Sequence, residues 1–272
     1  MHKLPLPLRS PWWRAFVLTA LVSALVGCGR VPSPLWPGLE GSIGLPHRGV
    51  LVSGRMLPQK GPGYAWLRRD DRHWGLPRFT VAIETAAAEV DHERPGAPLL
   101  VGDLSARRGG SLLPTHASHR TGRDADLLLY FTTLGGVSVP SPGFVKVGAD
   151  GLAWDPVDKR FLRLDVPRQW LLVRALAAHT EFRIQWIFVH RNIKALLLEW
   201  AMARNDDLQV VARAAELMQQ PGGTGAHDDH MHIRTACTRE EQDKGCEHSG
   251  PYRPWLEDSA AAALEEATAG DP

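Results

Sequence analysis

The chain carries almost no net charge, few cysteines and no apolar run long enough to cross a bilayer. Thirty-one basic residues stand against thirty acidic ones in 272, a formal net charge of +1. That balance excludes a broad electrostatic footprint for nucleic acid or for an anionic membrane surface. The apolar run from Ala15 to Gly27 is thirteen residues long, whereas a bilayer span needs about twenty. There is no internal repeat, and no Gly-rich phosphate turn follows a strand, so a dinucleotide-binding fold is excluded. With 44% hydrophobic residues the chain still has ample material for a buried core.

What is present begins with an address. Lys3, Arg9 and Arg14 precede the apolar run, which ends in small residues: the pattern of a secretory signal. The tetrapeptide LVGC, Leu25 to Cys28, resembles the bacterial lipobox, which makes Cys28 the expected lipidation site and 1–28 the signal peptide. The two remaining cysteines, Cys237 and Cys246, would meet an oxidising compartment after export. A disulfide between them is expected, worth roughly 2.5 kcal/mol for so short a loop. The alternative, a metal site, would need further ligands, of which only His248 is near in sequence.

Residues 29–62 are rich in Pro and Gly (VPSPLWPGLEG, KGPG) and read as a tether. Residues 257–272, Ala-rich and without aromatics, read as a disordered tail. Between them, 63–256 reads as one domain. Apolar periodicity predicts helices over 79–90, 168–179, 192–204 and 208–220, and short strands over 98–104, 126–131, 183–189 and 231–234. Without regular alternation of the two, the expected class is α+β, a small, largely antiparallel sheet flanked by helices.

Five of the twelve histidines fall in two windows: His116 and His119 in HASHRTGRDAD, and His227, His230 and His232 in HDDHMHIR. If MHIR is a strand, alternation places His230, His232 and Arg234 on one face and Met231 and Ile233 on the other. In the first window His119 and Asp126 are seven residues apart. On one continuous strand they would face opposite ways, so convergence needs the turn that Thr121, Gly122 and Arg123 can supply. His119, Asp126 and His232 would then offer two neutral nitrogens and one carboxylate, a set suited to one Zn²⁺ with a fourth position open to water. Such a site favours amide hydrolysis.

The spacing H-x(6)-D, followed far downstream by H-x-H, resembles the LAS metallopeptidases. The fuller windows and the downstream cysteine pair are most similar to the penicillin-insensitive murein endopeptidases within that group, over about residues 65–250. The resemblance implies His119, Asp126 and His232 as zinc ligands, with His230 and His227 as active-site histidines beside the metal. Its substrate would be cross-linked peptidoglycan stem peptides, cut at the D-alanyl to meso-diaminopimelyl bridge, in a periplasmic protein that touches a membrane only through its lipid. No serine nucleophile would be offered to β-lactams. A D,D-carboxypeptidase acting on free stem termini is the nearest alternative, and a non-catalytic peptidoglycan- or zinc-binding lipoprotein is another. His230 is the first choice for general base, with His227 assisting or merely capping a turn. Around these, His116 is read as a neighbour of the metal site or a loop-packing residue. Asp124, on the face of Asp126 if the strand has begun, is read as a rival ligand or, in preference, as an orienter of an imidazole or an arginine. Arg120 and Arg123 are read as partners for a stem-peptide carboxylate or as solvated loop charges.

Overall fold

The computed structural model describes residues 39–112, 114, 116–222, 227–251 and 253–256. The expected signal peptide with Cys28, the expected tether up to residue 38 and the expected tail 257–272 lie outside them. From Glu40 the described residues group as one compact unit.

Its centre is a seven-stranded mixed sheet. Across it lie β14 (Met218–Gln219), β13 (Ile184–Phe188), β15 (His230–Thr235), β8 (Asp124–Leu128), β7 (Leu99–Val101), β5 (Tyr64–Trp66) and β4 (Lys60–Gly61), in that order. The β13–β14 and β5–β7 pairs are parallel and the other four antiparallel. The sheet is therefore largely antiparallel, as the sequence suggests, but it is not small. A four-stranded antiparallel sheet of β9 (Phe131–Thr133), β10 (Ser138–Val139), β11 (Leu152–Asp155) and β12 (Arg160–Leu164) adjoins it. Two antiparallel pairs, the hairpin of β1 (Gly41–Leu45) with β2 (Arg48–Val52) and the pair of β3 (Arg55–Met56) with β6 (Trp74–Gly75), complete the strands.

Helices α1 (Pro77–Glu93), α2 (Val166–Ala178), α3 (Arg191–Ala203) and α4 (Leu208–Leu217) supply the apolar layer; α5 (Arg239–Asp243) is a short turn beyond β15. The period visible in the sequence is the buried stripe: Phe79, Ile83, Ala86 and Val90 on α1, and Trp170, Val173 and Ala177 on α2. Each large side chain so buried contributes roughly 1.5–3 kcal/mol. Pro77 and Pro167 stand in the first turns of these helices, where a missing N–H costs nothing, and Asp165 caps α2 by accepting from the Arg168 N–H at 3.3 Å. On β15, Met231 and Ile233 are fully buried in this core while His230 and Arg234 stay half-buried on the opposite face. On β8, Ala125 and Leu127 join the core and Asp124 and Asp126 turn the other way, also buried. The sheet thus separates an apolar layer from a polar one, and the polar one carries the site.

The tether reading is corrected from Gly41 onward. Its Gly-rich composition serves a hairpin: Gly41 and Gly44 sit at φ 82° and 79°, a region that side chains rarely enter. The Gly44 N–H donates to the Gly245 carbonyl at 2.8 Å, and the Glu247 N–H donates back to the Gly44 carbonyl at 3.2 Å. This stitches the hairpin to the loop closed by the Cys237–Cys246 disulfide. Arg123, read from the sequence as a partner for a substrate carboxylate, is fully buried at this junction. Its guanidinium donates to the carbonyls of Gly44 (3.1 Å) and Glu247 (3.0 Å) and to the Cys237 sulfur (2.9 Å). It braces three chain segments and cannot reach solvent.

Arg78 of α1 forks onto Glu241 of α5 at 2.9 and 2.8 Å, and Thr238 and Glu241 form a reciprocal capping box. Burial favours the neutral acid here, but the Arg78 hydrogen bonds and charge outweigh it and hold the Glu241 carboxyl below its ordinary 4.5. A depressed folded value means stability that is present above the ordinary value and lost as pH falls through the folded one. Glu241→Gln should lower stability near pH 7 by roughly 1 kcal/mol. The gap to the natural protein should close as pH drops below about 4.5, read from thermal midpoints across a pH series; a gap independent of pH would refute the ion pair's role.

Candidate active site

Strand register builds the centre. In the β8–β15 pair His232 lies directly opposite Asp126, and Arg234 directly opposite Asp124. The loop ahead of β8 brings the rest. His119 has φ 64° and Gly122 φ 71°, so the chain reverses and leaves the His119 ring buried beside Asp126. A non-glycine residue in this region is strained, and such strain concentrates at working sites. The loop is pinned from beneath: the Ser105 hydroxyl donates to the His119 carbonyl at 2.6 Å and accepts from the Gly122 N–H at 2.9 Å.

Four imidazoles surround one carboxylate. From Asp126 Oδ1, His119 Nε2 is 3.3 Å away, His232 Nδ1 3.4 Å and His230 Nε2 3.6 Å; from Oδ2, His116 Nδ1 is 3.7 Å away. Each ring is held at its other nitrogen. His119 Nδ1 meets the Leu104 carbonyl at 2.7 Å, His232 Nε2 meets Asp124 Oδ1 at 2.8 Å, His116 Nε2 meets Asp103 Oδ2 at 2.7 Å and His230 Nδ1 meets Asp229 Oδ1 at 2.5 Å. With those contacts fixing the tautomers, the inward nitrogens present lone pairs, the orientation found around ligating histidines. The His227 ring packs 4.9 Å from His230 and 5.8 Å from His232, on a backbone at φ 48°.

Two atoms at the middle, His119 Nε2 and Asp126 Oδ1, are buried without a hydrogen-bond partner despite their closeness. Buried polar atoms are seldom left so. One ligand atom each from His116, His119 and Asp126 lies within 4.8 Å of the others, which is metal-holding geometry. The electrostatics agree. Burial favours neutral Asp124 and Asp126, yet the surrounding cations and imidazoles keep both carboxyls well below the ordinary range. Burial also pushes against a charged His119, but Asp126 outweighs it and draws the ring up to about 9, whereas burial takes His232 down to about 4. Two buried carboxylates thus ask for positive charge at His119 Nε2, and a divalent cation among neutral imidazoles meets that need. The donor set of nitrogens and carboxylate oxygen suits Zn²⁺.

A family model described as penicillin-insensitive murein endopeptidase matches residues 42–265. The chain belongs to this family. Curated members include a penicillin-insensitive murein endopeptidase of Klebsiella pneumoniae, 26% identical over 86% of this chain and 82% of its own length. One from Haemophilus influenzae is 28% identical over 81% and 71%, and one from Escherichia coli O157:H7 is 32% identical over 42% and 43%. As a member of this family the chain is a peptidoglycan-cleaving metallopeptidase, and the matched segment contains both histidine windows and the disulfide.

Of the residues singled out in the sequence of this murein endopeptidase relative, His116, His119, Asp124, Asp126, His227, His230 and His232 are brought together. Arg123 is not, and neither is Arg120. Arg120 is fixed by its backbone to Pro46 and Gly110, and among the described residues no ion pair joins its side chain to the cluster. Sequence reading missed several contributors. Asp229 orients His230, and its only signal was its place directly before that histidine. Asp103 holds His116 while itself gripped by Arg68 and by Arg72 at 3.2 Å; burial opposes its charge, but His116 and Arg68 bring its carboxyl down to about 2. Phe144 packs edge-on against His230 at 5.2 Å, partly exposed at the rim. Gly102 faces its ring, leaving room beside Asp126 that a larger residue would narrow.

Proposed function

We propose that this protein is a zinc-dependent endopeptidase that hydrolyses D-alanyl to meso-diaminopimelyl cross-links of peptidoglycan, with one ion held by His119, Asp126 and His232. The observation that carries the reading is the convergence of His119 Nε2 and His232 Nδ1 on Asp126 Oδ1, with the outer side of each ring already engaged. The arrangement is in keeping with a LAS-type metallopeptidase fold. His116 stands at the other carboxylate oxygen, next to the ligand set. A bound Zn²⁺ supplies Lewis acidity toward the scissile carbonyl and acidifies water at neutral pH.

The chain's own groups supply the rest. His230 Nε2 faces the cluster while Asp229 holds Nδ1, so Nε2 is the atom that takes a proton from the attacking water and passes it to the leaving amine. The His227 ring beside it supports that orientation. Phe144 gives the His230 side of the centre an apolar wall. No serine takes part, so β-lactams find nothing to acylate. Export with lipidation at Cys28 would hold the enzyme in the periplasm, against its polymeric substrate.

The test is mass spectrometry of purified cross-linked muropeptide dimers incubated with the protein, with chelator, and with chelator followed by zinc. Dimers should become monomers, the conversion should stop with chelator and it should return with zinc. Release of terminal alanine alone would replace the reading by a D,D-carboxypeptidase. Intact dimers in the presence of stoichiometric bound zinc would replace it by a binding protein.

A further inference from the structure

Beyond the metal cluster, the same face of the sheet carries a second group of side chains that the chemistry above does not use. Arg234 follows His232 by two residues on β15, so it projects from the same face about 7 Å further along the strand. Its Nε donates to Asp124 Oδ1 at 2.6 Å, the same oxygen that meets His232 Nε2. That contact occupies one edge of the guanidinium. The other edge, Nη1 and Nη2, makes no hydrogen bond among the described residues, and the side chain keeps 15% of its surface open. A fork with two parallel N–H donors matches a carboxylate.

The neighbouring strand β13 furnishes the floor. Phe188 lies opposite His232 and Trp186 opposite Arg234, both half-buried, with their rings stacked at 5.4 Å. Phe188 touches both ends of the arrangement: its ring lies 5.5 Å from His232 and 6.1 Å from His227, and the Arg234 guanidinium carbon stands 5.6 Å from its centroid. An aromatic surface therefore runs unbroken from the metal-binding histidines to the free guanidinium edge. Asp124 is fully buried behind that edge, so it positions Arg234 without competing for its outward side.

We propose that Arg234, over the Phe188–Trp186 strip, is a carboxylate-binding subsite that seats the free carboxylate on the carbon bearing the scissile amide nitrogen. The inference rests on the murein endopeptidase reading, since the diaminopimelyl half of that cross-link carries such a carboxylate. It makes Arg234 a specificity-determining residue for the leaving-group side of the substrate. The guanidinium engages one anionic group through two hydrogen bonds, and the aromatic floor takes the aliphatic chain beside it.

The experiment compares two synthetic cross-linked dimers, one with that carboxylate free and one with it amidated, using the natural protein, Arg234→Gln and Arg234→Lys. The natural protein should prefer the free acid by roughly tenfold to a hundredfold in kcat/KM. Arg234→Gln should lose that preference, chiefly through KM on the free acid; whatever it costs through a loosened Asp124 falls on both dimers alike, so the ratio between them is the readout. Arg234→Lys should recover part of the preference. Equal losses on both dimers with Arg234→Gln would mean that Arg234 acts only by positioning Asp124, and the subsite would be refuted. Lack of discrimination by the natural protein would refute it without any variant. Failure of the natural protein to cleave either dimer would instead overturn the endopeptidase reading itself, and the subsite with it.

Discussion

Asp126→Asn should leave the protein folded but without its metal, and should cut cross-link cleavage by about a thousandfold or more, because the lost Lewis-acid stabilisation is several kcal/mol. Oδ1 of Asp126 is the common neighbour of His119 Nε2, His232 Nδ1 and His230 Nε2, at 3.3, 3.4 and 3.6 Å. Among the described residues no other carboxylate oxygen has that position, since Asp124 is already engaged by His232 and Arg234. Asparagine keeps the volume and removes the charge, leaving neutral nitrogens as the main donors. The fold should tolerate this because the volume is kept, although the imidazoles that hold the Asp126 carboxyl below its ordinary range lose their anionic partner. The thermal midpoint of the metal-free protein should therefore fall by only a few degrees near pH 7. Metal content by elemental mass spectrometry, dimer turnover and the midpoint separate a ligand from a structural aspartate. Full zinc occupancy with more than about a tenth of the turnover would refute Asp126 as a ligand.

The parts of this molecule legible in the sequence are those whose signal is local. The four long helices emerge from apolar periodicity, with observed bounds within a few residues of those expected, because each buries one stripe in the core. The alternation of Met231 and Ile233 against His230, His232 and Arg234 is likewise a property of five adjacent residues. The turn at Thr121 to Arg123 could be inferred because His119 and Asp126 need one to meet, and it is found as positive φ at His119 and Gly122. Pairing is a different matter. Nothing in the sequence states that Asp124 stands opposite Arg234, or that Asp103 holds His116, since these contacts depend on strand register and on a loop folded over the sheet. The hairpin at 41–52 was hidden for the opposite reason: its glycines satisfy φ in tight strands but look by composition like a linker. Arg123 shows the same limit. An arginine in a polar loop reads as solvent-facing, and only the packing of the Gly44 and Glu247 carbonyls around it reveals a buried brace.

His230→Ala should lower kcat by roughly a hundredfold to ten-thousandfold, the range typical of a lost general acid–base group, while zinc content and KM stay close to those of the natural protein. The geometry separates His230 from the ligands in two ways. Its Nε2 is the farthest of the three nitrogens around Asp126 Oδ1, at 3.6 Å, and its ring is the more exposed, with 17% of the side chain open against 1% for His119 and 10% for His232. A proton-transfer group needs that access, and a ligand does not. Its other nitrogen is held by Asp229 at 2.5 Å, the relation of an orienting carboxylate to a base. Asp229→Asn should therefore act in the same direction but more weakly, because the imidazole remains and only its tautomer and aim are loosened. The His227 ring, 4.9 Å away, cannot substitute without leaving its own place beside Phe188. The decisive comparison is kcat and metal content measured together on the same preparations. Loss of zinc in His230→Ala would make this residue a ligand and transfer proton handling to His227. Retained zinc with a kcat near that of the natural protein would remove His230 from the reaction altogether.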